Sequence, residues 1–315
     1  MHFSTQVPTA LSNNPIDYNS RIFLLGSCFA QHMAQKFERY RFISHVNPFG
    51  ILFQPTAIEA FIGHCLLQKK FSQDDVFEQH GIWHHYDAHS ALDGFSANEV
   101  CDSLNIAARA GEAQLTSATH IIITLGTAWV YRHKASGNYV ANCHKVPQRE
   151  FDKELLSVER IGESLDKILL MIAKINRTAQ VIFTVSPVRH LRDGFVQNQR
   201  SKSNLIAALH PTIEKHPNTH YFPAFEIVMD ELRDYRFYAP DMIHPNSVAI
   251  DYIWERFGQA FIAEDARSTA AEVEAVVRGL EHRPFNPDTV QHRNFMASLA
   301  QKIAALQSRF AHMKF

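Results

Sequence analysis

The sequence predicts an α/β fold, a doubly wound parallel sheet of about five strands with helices on both faces. Three observations predict it: five short apolar runs recur along the chain, the segments between them carry helical periodicity, and several runs stop at a small residue. In such sheets ligands bind beyond the carboxyl ends of the strands, where Ser27, Gly50, Gly126 and Ser186 would gather.

The first run, Ile22-Phe23-Leu24-Leu25, is apolar at four consecutive positions, the mark of a strand buried on both faces, and it halts at Gly26. Ala30, Met33, Ala34 and Phe37 then fall at i, i+3, i+4 and i+7, so a helix follows. Ser27 and Cys28 therefore occupy a strand-to-helix turn. There the helix's first N–H groups are unpaired and its dipole favours negative charge, which suits a nucleophile; a serine that merely caps the helix fits the same pattern. Residues 42–46 read as a second strand closed by Asn47-Pro48-Phe49-Gly50. Pro55 opens a helix through Ile58, Phe61, Ile62 and Cys65. The aromatic and His-rich segment 71–95 reads as a hairpin-like excursion from the main fold.

A helix over 98–115 leads to a third strand, 120–125, which stops at Gly126. Residues 128–132 and 139–142 flank Ser136-Gly137-Asn138 as a second hairpin. A helix over 157–176 feeds the fourth strand, 180–186, and polar residues 189–200 lead into a helix around 203–209. Residues 221–225 are a shorter last strand, followed by a helical turn through Met229 and Leu232. Asp241-Met242-Ile243-His244-Pro245 precedes a helix to about residue 261, with Pro245 in its first turn. Beyond Glu264 two helices join at a kink over 283–287. Residues 1–263 thus read as one domain and 264–315 as a C-terminal helical extension.

Composition bounds the function. With 46% hydrophobic residues, 31 Lys plus Arg against 32 Asp plus Glu, and no long single-sign run, the chain favours a small neutral or mixed-charge ligand over nucleic acid or a membrane surface. The N-terminal residues show no secretory pattern, so the protein reads as cytoplasmic. Cys28, Cys65, Cys101 and Cys143 form no CxxC pair and read as reduced thiols; no cofactor or metal is expected, and the oligomeric state stays open.

A nucleophilic serine needs a base, and the base an orienting acceptor; Asp241 and His244, three apart ahead of a helix, have the chemistry for both. His85, Asp87 and His89 would share one face of a strand and could hold a transition metal, but no fourth ligand is indicated, so a lid or substrate wall is the better reading. Arg189, His190 and Arg192 would receive an anionic substrate group or form a solvated loop.

Taken together, the motifs carry a family resemblance. Gly26-Ser27-Cys28-Phe29-Ala30, Asn47-Pro48-Phe49-Gly50, Trp83 with His89-Ser90, Gly126-Thr127-Ala128-Trp129, Ala141-Asn142-Cys143-His144-Lys145, Ser186-Pro187-Val188-Arg189-His190 and Asp241-Met242-Ile243-His244-Pro245 resemble the GSCFA family, grouped with the SGNH or GDSL hydrolases, over residues 20–262. The resemblance implies a flavodoxin-like three-layer fold and ester hydrolysis, with Ser27 as nucleophile, His244 as base, Asp241 as its orienter and the Gly50 N–H in the oxyanion hole. Two departures stand out. The superfamily's Gly-Asp-Ser block corresponds either to Leu25-Gly26-Ser27 or to Gly26-Ser27-Cys28, which keeps Cys28 a candidate, and its Gly-x-Asn block is here Gly126-Thr127-Ala128. An active enzyme would recruit Asn142, His190 or Thr127 in place of the missing amide. The expected activity is a serine esterase that removes a small acyl group such as acetyl from a saccharide-like ester; an acyltransferase using the same triad and a weakened glycan-binding protein are the alternatives.

Overall fold

Residues 22–25 are apolar at every position because both faces of their strand are covered. The computed structural model describes residues 5–315. Strands β1 (Arg21–Gly26), β2 (Ile43–Val46), β3 (His120–Leu125), β4 (Gln180–Val185) and β5 (Thr219–Phe222) form one parallel sheet in the order β5-β4-β3-β1-β2. The expected three-layer, doubly wound architecture is what forms. The direction of winding reverses between β1 and β3, so the crevice beyond their carboxyl ends is the switch point. The register Gly26↔Thr124 and Thr124↔Thr184 brings the ends of β1, β3 and β4 level there.

Alternation along each strand divides the core. Phe23, Leu25, Ile121, Ile123 and Phe183 pack against α2 (Pro55–Leu66), α3 (Ala97–Ser117), α4 (Val158–Ile175) and α5 (Phe195–Lys215). Ile22, Leu24, Ile122 and Ile182 face the other way, against α1 (Cys28–Arg39) and α6 (Ser247–Phe261). The stripe Ala30, Met33, Ala34 and Phe37 is buried as its spacing requires.

Some boundaries differ from expectation, each for a physical reason. Helix α5 spans 21 residues and includes Pro211, because its buried stripe begins with the polar side chains Asn198, Ser201 and Lys202, which mask the apolar period. Pro245 lies outside α6: Asn246 caps that helix, its Oδ1 accepting from the Ala249 N–H at 3.1 Å. The excursion after α2 contains the short hairpin Phe77–Gln79 and Ile82–His84, and the second hairpin gains a third strand, Phe151–Leu155, in which only Phe151 is fully buried.

Helices α7 (Glu264–Glu281) and α8 (Val290–Arg309) pack on the α1 side of the sheet. Val273, Val276, Val277, Leu299 and Leu306 join Phe29, Met33 and Phe37 in one apolar cluster, and Arg39 pairs with Glu274 at 2.9 Å and Glu281 at 2.8 Å. Since Leu299 is buried at that seam, Leu299→Ala should lower the unfolding free energy by about 2 to 4 kcal/mol in chemical denaturation. An unchanged midpoint would mean that α8 contributes nothing to the cooperative core.

Candidate active site

The turn after β1 is built around close backbone contacts. Gly26 has φ +129°, and a Cβ there would meet the Thr124 carbonyl oxygen at 2.1 Å, so only glycine fits. Ser27 follows: its N–H donates to the Thr124 oxygen at 3.1 Å, and its Oγ accepts from the Phe29 N–H at 3.3 Å, capping α1. It is 1% exposed. Cys28, the first residue of α1, is half-buried, and burial raises its thiol pKa against the lowering effects of the Phe29 N–H and the Lys202 charge. The resting side chain is a thiol.

Asp241 and His244 meet in a tight loop. Asp241 Oδ1 accepts from the Ile243 and His244 N–H groups at 2.9 and 3.0 Å, and its Oδ2 lies 2.6 Å from His244 Nδ1. Those two backbone donors, then the imidazole, hold the Asp241 carboxyl down at about 2. A carboxylate accepts only, so Nδ1 of neutral His244 carries the proton and Nε2 presents its lone pair. The His244 side chain is 42% exposed. Burial is the chief cause that lowers the imidazoles of His32, one helical turn beyond Cys28, and of His190, and His244 lies near enough to both to add to it.

Beneath the ends of β3 and β4 lies a residue that the sequence reading did not single out. Lys202 is wholly buried, and its Nζ donates to the carbonyl oxygens of Gly126 and Ser186, both at 2.7 Å. Burial pushes its pKa down to about 7, opposed by the nearby Cys28. Counting back three and seven from the buried Leu205 and Leu209 puts position 202 on the inward stripe of α5, which is the signal that could have found it. Adjacent Ser201 accepts from the Ala128 N–H at 2.7 Å and bonds the Thr127 hydroxyl at 2.9 Å, while the Phe53 carbonyl accepts from Gly126 and Thr127 at 2.6 and 3.2 Å. The Gly126–Ala128 segment is thereby fixed on two sides.

The remaining residues singled out in the sequence divide between this region and others. The Gly50 N–H, expected in an oxyanion hole, is committed to the Asn47 carbonyl at 2.8 Å; Gly50 has φ +73° and His89 packs against it. Asn47 holds the better-placed donor. Its Oδ1 accepts from the Gly26 N–H at 2.8 Å, which orients the amide and leaves a buried Nδ2 without a partner beside the turn. His190 has a buried, unpartnered Nε2 3.0 Å from where a Cβ on Gly126 would lie, and burial holds its imidazole at about 4. Thr127, Asn142 and His190 line a cavity of about 420 Å³ with Trp129, Tyr131 and Arg192; Ser27, Cys28 and His244 are not among its lining residues. Arg189 points elsewhere, its guanidinium over the Tyr238 ring at 5.1 Å. His85, Asp87 and His89 do not share a face: His64 pairs with Asp87 at 2.8 Å, His85 packs edge-on to Phe71, and His89 Nδ1 accepts from the Ala91 N–H at 3.2 Å.

A model of the GSCFA family matches residues 21–257, well over half of the chain. The chain belongs to the GSCFA family. A second model, the C-terminal domain of GSCFA domain proteins, matches residues 273–315, covering α8 and the second half of α7. Nothing among curated proteins matches the chain. Among solved structures it is similar to an acetyl xylan esterase (Est2A) from the rumen bacterium Butyrivibrio proteoclasticus, with 12% identity over 79% of this chain and 67% of that one and a TM-score of 0.37.

Two outcomes follow from the buried groups. Lys202→Met keeps the bulk but leaves two strand-end carbonyls without donors, so it should cost on the order of 2 to 4 kcal/mol in urea unfolding; equal stability would show that the ammonium holds nothing. His190 and His85, both held at about 4 in the folded protein, gain protons at their ordinary pKa when it unfolds. Stability should therefore fall as pH drops from about 6.5 to about 4, and His190→Gln should flatten that slope in thermal melts.

Proposed function

We propose that this protein is an ester hydrolase of the SGNH type that removes a small acyl group, such as acetyl, from a saccharide-like ester. The observation that carries the reading is the His244–Asp241 pair, an imidazole held at 2.6 Å by a carboxylate kept ionised, with its Nε2 lone pair free. In this reading Ser27 Oγ gives its proton to His244 Nε2 and attacks the acyl carbon. The anionic intermediate forms at the amino end of α1, where unpaired N–H groups, the Asn47 amide and the imidazole of His190 supply donors; His190 thus takes the place of the missing Gly-x-Asn amide. His244 then protonates the leaving alcohol, and water, deprotonated by the same imidazole, releases the acid. The cavity beside Thr127 offers the rings of Phe53, Trp129, Tyr131 and Phe151 with Asn142 and Arg192, a combination that suits a sugar acceptor.

One observation favours a second reading at the same turn. Ser27 Oγ is almost fully buried and engaged as a cap, whereas Cys28 is half-buried, one turn before His32 and within the influence of Lys202. In that case Cys28 Sγ is the nucleophile, Ser27 holds the helix end, and His244 must deprotonate a thiol that burial keeps protonated.

Turnover of an activated acetyl ester separates the two. Ser27→Ala should lower kcat/KM by about three orders of magnitude while Cys28→Ala keeps most of it, and a fluorophosphonate should label Ser27; the reverse pattern assigns the reaction to Cys28. His244→Ala should abolish turnover with either nucleophile, and Asp241→Ala should be milder. A wild-type protein that hydrolyses no activated ester and takes no fluorophosphonate would end the proposal.

A further inference from the structure

Away from the turn, three side chains that the proposed reaction does not use converge where the first hairpin meets residues 141–146. Trp83 and Gly94 form an isolated antiparallel bridge, with N–H···O distances of 2.8 and 3.2 Å in the two directions, which sets His84 opposite Asp93. His144 closes the group from the other side. One donor atom from each of the three lies within 4.8 Å of the other two, and this is the one such cluster among the described residues. His84 Nδ1 is 2.9 Å and His144 Nδ1 3.3 Å from Asp93 Oδ1.

The hydrogen bonds around His144 fix which of its nitrogens is bare. Its Nε2 lies 2.9 Å from the His85 carbonyl oxygen and 3.1 Å from that of Ala88. Carbonyl oxygens only accept, so Nε2 carries the hydrogen, and in the neutral ring Nδ1 turns a lone pair toward the Asp93 carboxylate. Two electron-rich atoms face each other in a buried space. Nor does His84 resolve the conflict: both Nδ1 atoms are buried without a hydrogen-bond partner, close to Asp93 in distance but off line for an N–H···O bond. Both histidines are more than nine-tenths buried, at 6% and 5% exposure, and Phe77 packs against both rings.

We propose that His84 Nδ1, the Asp93 carboxylate and His144 Nδ1 bind a divalent transition metal of the zinc class, with a water completing the coordination. A tetrahedron with bonds of about 2.0 to 2.1 Å has edges of about 3.3 Å, close to the 2.9 and 3.3 Å that separate the two Nδ1 atoms from Asp93 Oδ1. Two imidazoles and one carboxylate suit Zn²⁺, and a ligating histidine that passes its other N–H to backbone carbonyls is the outer arrangement such sites use. The metal ties the segment after the first hairpin to the loop bearing Cys143, His144 and Lys145, which line the 420 Å³ cavity. It is a clamp on the cavity wall, and in this proposal the chain departs from the sequence expectation of no metal.

The test uses the full chain, stripped with a chelator and titrated with Co²⁺ and then Zn²⁺. A single equivalent of Co²⁺ should give the visible bands of a four-coordinate site, Zn²⁺ should bleach them, and Zn²⁺ should raise the Tm of stripped protein by several degrees. Asp93→Ala and His144→Ala should lose both responses. If either variant does not fold, the wild-type titration decides alone. Absence of saturable Co²⁺ and Zn²⁺ binding, with nitrogen chemical shifts showing His144 as an imidazolium paired with Asp93, would overturn the assignment.

Discussion

A single buried lysine holds the carboxyl end of this sheet together. Just past the ends of parallel strands the next carbonyl oxygens lose their ladder partners, and where that end is covered each oxygen needs a donor. Lys202 reaches from α5 to supply two of them, at the ends of β3 and β4, with bonds strengthened by charge. Its neighbour Ser201 secures the next turn of chain. An unpaired charge at that depth would be costly, so the lysine and the strand ends stabilise one another or neither is stable. The same placement puts positive potential near Cys28 and the amino end of α1, adding to the helix dipole where an oxyanion would form.

The groups proposed to react fall into two mechanical classes. Ser27, Asn47, Lys202 and His190 are buried or nearly so and are tied to strand ends or to α5. His244 and Asp241 are half-exposed on a loop fastened mainly by Asn246, whose Nδ2 donates to the Arg236 carbonyl and whose N–H donates to that of Phe237. In the proposed reaction a rigid nucleophile would meet a base that can adjust when substrate arrives, in accord with catalytic hydrogen bonds tightening only in the complex.

What could be read from residue order follows from where each signal resides. The three central strands, β1, β3 and β4, and the helix after β1 are legible because burial on two faces, or on one stripe, writes itself into nearly every residue. The Asp241–His244 pairing was legible because both members lie within one loop. Polar residues doing buried work were not. Asn198, Ser201 and Lys202 disguise the start of α5, and the Asn47 amide is set beside Gly26 by a contact across 21 positions. By alternation alone the histidine-rich stretch groups His85 with Asp87 and His89, whereas the bridge between Trp83 and Gly94 sets His84 opposite Asp93, and His144 joins them from 60 positions downstream. Register is a tertiary fact, and a slip of one residue exchanges the two faces.

The packing of α1 has a consequence for the order in which the molecule matures. The helix that starts at the turn after β1 shares its apolar cluster with Leu299, Leu306 and Met313, and Tyr18, just ahead of β1, meets the ring of Phe310 at 4.9 Å. During synthesis these early residues therefore wait for nearly the whole chain to leave the ribosome before their cover arrives. Until then one apolar flank of α1 stays open, although the turn at its start needs only β1 and β3 to form.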